Sequence, residues 1–191
     1  LYRELRQAFP DAEITLLTSE GFGEVLANNP HLDRILHHPR RERFPELQAL
    51  ADRLVAEDFD LVYDVHRSLR SRWLVARLTE FHLKIRPTVW AIHKRGWQRL
   101  ALVKLRINRM RPIRSQREQW LLPLERHLGC SLPNHTELFP DDKSVERIRS
   151  FLEQQQLAPK RFLAVGPSAS YPLKCWPLEH YRTLITELRQ R

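Results

Sequence analysis

Phe162-Leu-Ala-Val-Gly-Pro-Ser-Ala-Ser-Tyr-Pro-Leu-Lys-Cys-Trp-Pro177 is the stretch that decides the fold. It begins with an apolar run that is typical of a buried strand. A loop of small and hydroxyl-bearing residues with one lysine follows, and the stretch ends at a proline, which suits the first turn of a helix. A loop between a strand and a helix N-terminus offers unpaired backbone N–H groups to an anion. The stretch therefore predicts an α/β fold with a phosphate-facing loop.

Three side chains of this loop suit a diphosphate ligand. Ser168 and Ser170 can donate hydroxyl hydrogen bonds, and Lys174 adds a mobile positive charge. Gly166 is the only glycine of the loop, so the pattern is neither the G-x-G-x-x-G dinucleotide fingerprint nor a P-loop. A purely structural alternative stays open, in which the tryptophan before Pro177 packs under the loop and the proline begins the helix.

The sequence before this loop alternates between helix and strand signals. Apolar spacing and short apolar runs predict a helix at 1–9, a strand at 14–18, a short helix at 21–25, a strand at 33–36, a helix at 47–55 and a strand at 60–65. Short connections join these elements. Alternation of this kind is typical of a parallel sheet with helices on both faces.

The second half of the chain is mostly helical in pattern. Helices are predicted at 73–78, at 116–128 and at 145–152. Gly129 is expected to end the second of these as a C-cap glycine. Asp141 or Asp142 is expected to cap the third at its N-terminus.

These patterns predict two domains, at 1–130 and 143–191, joined by a linker at 131–142 that is rich in Pro, Asn and Asp. The helix at 1–9 has no start signal before it. The apolar stripe at 178–188 needs a sheet to cover it, and one strand is not a sheet. We therefore expect the chain to be a fragment of a longer protein.

Composition indicates a globular protein without a cofactor. The 191 residues are 42% hydrophobic and 29% charged, which is enough apolar sequence for a real core. The two cysteines, Cys130 and Cys175, have neither metal nor redox spacing and suit a reducing compartment. The nine histidines have no partners at metal-ligand spacing. We expect no metal and no cofactor.

The net charge of +9 comes largely from one segment. Residues 84–114 hold ten Lys or Arg and no Asp or Glu, with Trp90 and Trp97 among them. Such a segment attracts nucleic acid, an anionic lipid surface or a phosphorylated glycolipid. The alternative is a solvated helical face with its loop, and in that case Trp97, Leu100 and Leu105 would line a buried face with Ala101.

The loop His66-Arg-Ser-Leu-Arg-Ser71 directly follows a predicted strand, where ligands bind in open α/β sheets. Guanidinium groups suit phosphates and carboxylates because their planar fork makes paired hydrogen bonds. We expect a ligand role for Arg70 and Ser71 ahead of His66. The alternative is a solvated loop in which Ser68 or Ser71 caps a helix, and Asp64 is equally open to a structural or a functional role.

Four motifs together resemble a known family. Pro167-Ser-Ala-Ser-Tyr-Pro-Leu-Lys-Cys-Trp-Pro177 resembles the "PGAS…K-x-WP" motif of the ADP-heptose:lipopolysaccharide heptosyltransferases, glycosyltransferase family 9. Phe9-Pro-Asp-Ala-Glu-Ile14, Asn29-Pro-His-Leu-Asp33 and Phe59-Asp-Leu-Val-Tyr-Asp-Val-His66 with Arg70-Ser71 follow the family's N-terminal domain in order. The resemblance covers essentially the whole chain.

The resemblance implies the GT-B architecture, in which two Rossmann-like domains face each other across a cleft. This chain would supply the N-terminal domain without its first strand, and the first strand and helix of the second domain. Ser168, Ser170 and Lys174 would bind the diphosphate of an ADP-sugar. The acceptor, a phosphorylated lipopolysaccharide core, would be bound by His66, Arg67, Arg70, Ser71 and Arg117.

The implied reaction is metal-independent, inverting transfer of a heptose to a sugar hydroxyl. It would take place in the cytoplasm, at the inner face of the cytoplasmic membrane, with peripheral contact to the anionic surface and no nucleic-acid partner. The family's catalytic aspartate is expected before Leu1, and its D-x-G-x-x-H region is absent from the chain. Ser168 stands where the family has glycine. We therefore expect the 191-residue chain alone to be inactive.

Two other interpretations remain at this point. The basic segment at 84–114 would also suit a nucleic-acid or anionic-surface binding module, although it lacks the aromatic spacing of an RNA-binding sheet. A GT-B transferase with another sugar donor would show the same motifs.

Overall fold

The computed structural model describes residues 1–39, 43–80, 86–158 and 162–190. Contacts divide the chain into two compact units, Leu1–Pro140 and Asp141–Arg191. The strands are β1 (Thr15–Ser19), β2 (Arg34–His38), β3 (Leu61–Asp64) and β4 (Thr88–Ala91). The helices are α1 (Tyr2–Ala8), α2 (Phe44–Val55), α3 (Leu69–Leu78), α4 (Gly96–Leu105), α5 (Gln116–Leu128), α6 (Asp142–Gln154) and α7 (Leu178–Arg189). Short 3₁₀ turns lie at Glu24–Leu26 and Pro172–Lys174.

The strands of the first unit pair in parallel, which confirms that part of the prediction. Pairing joins β1 to β2, with Thr15 opposite Arg34, and β3 to β4, with Leu61 opposite Thr88. Among the described residues these are two separate two-stranded sheets, whereas one continuous sheet was predicted. Backbone hydrogen bonds among the described residues do not join the two strand pairs. The apolar core connects them, because strands of both pairs pack against it.

The core of the first unit lies between α2 and α3. Its buried members are Leu50, Ala51, Leu54, Leu74 and Leu78. Half-buried side chains of β1, β2 and β3 pack against this cluster, namely Leu17, Leu36 and Val62. Both strand pairs therefore rest on the same two helices, and the carboxyl end of β3 leads straight into α3.

Local start and stop signals place several helices where the sequence predicts them. Ser115 accepts a hydrogen bond from the Glu118 backbone N–H at the start of α5. Gly129 ends that helix with φ +69°, a left-handed conformation that favours glycine. Asp141, rather than Asp142, caps α6 by accepting from the Ser144 N–H.

The basic segment contains a strand that sequence reasoning missed. β4 lies between clusters of cationic residues, and these hid a short β-branched and aromatic run. Trp90 of β4 packs edge-on against Tyr63 at 5.7 Å and lies 4.7 Å from the ring of His127. It is half-buried in an aromatic cluster of the first unit, and the attraction of residues 84–114 to a phosphate-rich partner stays a prediction.

The prediction that Trp97, Leu100 and Leu105 line a buried face is wrong. Their side chains in α4 are 82%, 47% and 67% exposed. The reason is that α4 contributes no residue to the core of the first unit. Polar contacts instead hold the start of α4. The Arg95 guanidinium donates to the carbonyls of Met110 at 2.8 Å and Pro112 at 2.7 Å.

The predicted strand at the start of the opening stretch is also wrong. Residues 162–169 form neither strand nor helix and are exposed. A strand needs a neighbour to pair its backbone N–H and C=O groups, and no described segment of the second unit runs alongside this one. For the same reason no described residue of that unit is buried, and the apolar stripes of α6 and α7 face solvent.

Tyr63 ties β3 to α5 at a break in the helix. Pro123 lies inside α5, where it lacks the N–H of a regular helical residue and crowds the preceding turn. The Tyr63 hydroxyl donates to the Trp120 carbonyl at 2.5 Å and accepts from the Leu124 N–H at 3.3 Å. These two backbone groups would otherwise bond to each other, so a side chain has entered the helical ladder.

We expect Tyr63→Phe to lower the free energy of unfolding by about 1–2 kcal/mol at neutral pH, because two backbone groups lose their partner. Burial raises the pKa of Tyr63 to about 12, against 10.0 for an ordinary tyrosine. The unfolded chain therefore loses this proton first, and stability falls as the pH rises above about 10.

Urea unfolding of both proteins between pH 8 and pH 11 measures this effect. The advantage of the wild type should shrink by about 1 kcal/mol over that range, a value discounted because the phenol is partly exposed. Tyr2, the other tyrosine with a raised pKa, is present in both proteins and cancels. Parallel pH profiles would contradict the assignment.

Candidate functional site

The carboxylate of Asp64 organises the loop that follows β3. Its Oδ1 accepts from the backbone N–H of His66 at 3.0 Å and of Arg67 at 2.7 Å. Its Oδ2 accepts from the Ser71 hydroxyl at 3.0 Å. Asp64 is only 8% exposed and is fully engaged by the loop. The structure therefore assigns it a positioning role, which the sequence had left open.

Two serines join this loop to α3. Ser68 is the N-cap residue, as one of the two predicted alternatives, and it accepts from the Ser71 N–H at 3.1 Å. The Ser71 hydroxyl in turn accepts from the Ser68 N–H at 2.9 Å. Ser71 thus closes a capping box while it donates to Asp64. The loop itself therefore already orients the Ser71 hydroxyl. The binding of a ligand by Ser71 stays a prediction.

Arg67 connects the ends of two neighbouring strands. Its backbone adopts a left-handed φ of 44°, which turns the chain sharply after β3. Its guanidinium donates to the carbonyl of Ile92, just past the end of β4, at 2.8 Å. This hydrogen bond holds one nitrogen of the Arg67 guanidinium in place. The positive charge of Arg67 therefore lies at the carboxyl ends of β3 and β4, where ligands bind in open α/β sheets.

The remaining predicted acceptor residues lie around this arrangement or away from it. The His66 side chain is exposed at the tip of the turn, and Arg70 is half-buried in the first turn of α3. Arg117 is exposed in the first turn of α5. No hydrogen bond or ion pair among the described residues joins Arg117 to the loop, so its place in the same site stays a prediction.

The second candidate site is the loop before α7, in the second unit. A 3₁₀ turn, Pro172–Lys174, and then Pro177 lead into the helix. Within the described part of the chain, the hydroxyls of Ser168 and Ser170 have no protein partner and both residues are exposed. The Lys174 ammonium lies 5.4 Å from the centre of the Tyr171 ring, which holds the cation beside the loop.

Trp176 packs against the first turns of α7 and is 46% exposed, so its predicted packing under the loop stays a prediction. Its ring stacks on His180 at 5.3 Å and meets Tyr181 edge-on at 4.9 Å. The loop and the start of α7 enclose an open, mainly apolar groove of about 620 Å³, lined in part by Trp176, Tyr181 and Leu178. None of the three predicted diphosphate-binding residues lines the groove, so an apolar surface lies beside the polar loop.

Within the described ranges, no three His, Cys, Asp or Glu side chains gather where they could hold a metal ion. Cys130 and Cys175 are not joined in a disulfide. Of the helices that are described, none has the length and apolar character needed to span a bilayer.

Comparison with known proteins identifies the class. The sequence pattern of glycosyltransferase family 9 (heptosyltransferase) matches residues 47–191. A crystal structure described as a family 9 glycosyl transferase from Veillonella parvula DSM 2008 matches with a TM-score of 0.68 and 18% sequence identity. The match covers 98% of this chain and 53% of that one, so the chain spans about half the length of its structural relative. No curated protein matches.

The parallel α/β fold is therefore shared with a glycosyltransferase. The protein belongs to glycosyltransferase family 9. This family match includes both the loop after β3 and the loop before α7.

Proposed function

We propose that the protein takes part in transferring a heptose from ADP-heptose to the phosphorylated inner core of lipopolysaccharide, within a GT-B enzyme of two Rossmann-like domains. The observation that carries this proposal is the match of residues 47–191 to the pattern of glycosyltransferase family 9 (heptosyltransferase). The exposed hydroxyls and ammonium of the loop before α7 support a diphosphate-bearing donor. The cationic loop after β3 supports a phosphorylated acceptor.

In the proposed reaction an acceptor hydroxyl oxygen forms a bond to the anomeric carbon of the heptose. The bond from that carbon to the diphosphate oxygen breaks, and its electron pair leaves with ADP. A base takes the proton of the hydroxyl. Lys174, Ser168 and Ser170 would stabilise the charge that develops on the departing diphosphate. Arg67, whose backbone N–H donates to Asp64, and Arg70 would hold the acceptor phosphates.

We expect Lys174→Ala to weaken the binding of ADP about tenfold, because a charge-assisted contact to the diphosphate is lost. Isothermal titration with ADP measures the change. Lys143→Ala is the matched control, since it removes an exposed lysine from the same unit, in the first turn of α6. Equal weakening in both variants would show that ADP responds only to the overall positive charge of the protein and not to Lys174 in particular.

Ligand selectivity tests the function itself. Titration with ADP, UDP and GDP separates a donor carrying ADP from the alternative of another nucleotide-sugar. Titration with an inner-core glycolipid and with single-stranded RNA, at low and high salt, separates a transferase from a binding module. Tighter binding of UDP than of ADP would mean that the sugar donor carries UDP instead of ADP. Salt-steep binding to any polyanion, without preference for the glycolipid, would overturn the transferase proposal.

A further inference from the structure

His93 lies at the carboxyl end of β4, where ligands bind in open α/β sheets. The pairing of β3 with β4 continues for one residue past β4, because the Ile92 N–H donates to the Asp64 carbonyl at 3.2 Å. His93 is therefore the first residue beyond the paired backbone, and it is exposed. It follows β4 as the loop at 66–71 follows β3. Sequence reasoning missed His93 because it missed β4.

Arg67 brings the loop after β3 to the same place. Its guanidinium donates at 2.8 Å to the carbonyl of Ile92, which belongs to the peptide group that joins Ile92 to His93. The loop and His93 therefore share one edge of the sheet, held by this side-chain bond as well as by the pairing of the strands. A guanidinium carries several N–H donors, so one bond to a carbonyl leaves others that can bind a ligand.

A backbone hydrogen bond orients the imidazole of His93. Its Nδ1 accepts from the Arg95 N–H at 3.2 Å. A ring nitrogen that accepts carries no proton, so the proton of the neutral imidazole lies on Nε2. The ring therefore offers an N–H donor at Nε2, and an oxygen acceptor on a ligand is its natural partner.

The backbone on both sides of His93 is also held. Ile92 before it is buried, with 3% exposure, and is bonded to β3. Arg95 after it adopts a left-handed φ of 48°, and its guanidinium donates to the carbonyls of Met110 and Pro112. A donor that is fixed before the ligand arrives loses little conformational freedom on binding. The Nε2–H group is therefore better suited to selective binding than a mobile surface side chain.

We propose that His93 is a further acceptor-binding residue, whose Nε2–H donates to a phosphate oxygen of the sugar acceptor together with the Arg67 guanidinium. The inference rests on the proposed function, because it adds a residue to the same acceptor site. A phosphate fits this pair of groups because it offers several oxygens, so that both donors can bond to it at once. Arg67 supplies the positive charge, and His93 adds a directional bond that favours one placement of the phosphate.

The competing explanation is local, with the ring serving only to close the turn at 93–95. His93→Asn separates the two roles because it removes Nε2–H but keeps an acceptor for the Arg95 N–H. Asn29 and Asn108 show that an asparagine can do this, since each accepts at 3.0 Å from the N–H two residues further on. His93→Gln is the opposite change, because its amide N–H can replace Nε2–H while the acceptor at Nδ1 is lost.

Isothermal titration of the 191-residue chain with a phosphorylated, lipid-free inner-core oligosaccharide tests the proposal. We expect His93→Asn to weaken binding about tenfold, and His93→Gln to weaken it clearly less. With the dephosphorylated oligosaccharide, wild type and His93→Asn should bind alike. His135→Asn is the matched control, since it replaces an exposed histidine of the same unit, between α5 and α6, and should leave binding unchanged.

The outcomes distinguish this inference from the proposed function. Wild-type affinity in His93→Asn, or a greater loss in His93→Gln than in His93→Asn, would overturn the role of His93 alone. Failure of the wild type to bind the oligosaccharide would overturn both. ADP binding should be unchanged in His93→Asn, because Lys174 lies in the second unit. A parallel loss of ADP binding would show a general disturbance of the chain and overturn the assigned contact.

Discussion

Asp64→Ala should lower the free energy of unfolding by about 3 kcal/mol and loosen the loop after β3. The substitution removes an acceptor that is 8% exposed and leaves the N–H groups of His66 and Arg67 and the Ser71 hydroxyl without their partner. Hydrogen bonds to a charged group contribute about 1.5–3 kcal/mol each, and water recovers part of that loss at the exposed turn. Chemical denaturation followed by circular dichroism measures the difference.

Two further variants isolate the cause. Asp64→Asn keeps an oxygen for both backbone N–H groups, and the Ser71 hydroxyl can rotate to accept from the new amide, so its cost should be clearly smaller. Asp60→Ala removes an exposed carboxylate directly before the start of β3. It should change the free energy of unfolding by less than about 0.5 kcal/mol. If Asn and Ala cost the same at position 64, the hydrogen bonds are not what holds the loop.

Leu124→Ala should be more destabilising still, by about 3–5 kcal/mol. The Leu124 side chain is fully buried, at 0% exposure, within the first unit, to which α5 belongs. Truncation removes apolar contact area and leaves a cavity that the surrounding side chains fill only partly. Because Pro123 and the hydrogen bond from the Leu124 N–H to the Tyr63 hydroxyl already constrain the backbone at this point, the helix has little freedom to close over the space.

Urea unfolding followed by tryptophan fluorescence measures this loss, since Trp120 lies on the same helix. Leu128→Ala is the matched control at the end of α5, where the side chain is 40% exposed. It should cost about 1 kcal/mol or less. A similar cost for the two leucines would mean that Leu124 is packed less tightly inside the first unit than its burial indicates.

Local signals made much of the first unit predictable. Ser115 with Glu118, Gly129 and Asp141 each mark a helix end by a bond formed within a few residues, so the sequence alone is sufficient. The parallel pairing of strands followed from their alternation with helices. Non-local partners caused the errors. The apolar run after Phe162 has no described neighbour to pair with, and β4 was hidden because charged residues flank it on both sides.

The candidate site was predictable in residue type but not in role. The motif around Arg70 and Ser71 indicated a ligand-binding loop, yet only the folded chain distinguishes a side chain that faces outward from one that holds the loop. Asp64 is the clearest example, since its position at the end of a strand suits either role. Its contacts with two backbone N–H groups follow from the left-handed turn at Arg67, which no residue in the sequence announces.

The adjacency of Tyr63 and Asp64 on β3 gives the strand a double constraint. Successive side chains of a strand point to opposite faces, so Tyr63 enters α5 while Asp64 holds the loop that leads to α3. A slip of β3 by one residue against β4 would exchange the two faces and break both attachments at once. Mispaired forms are therefore penalised twice, and a strand of only four residues keeps a single alignment.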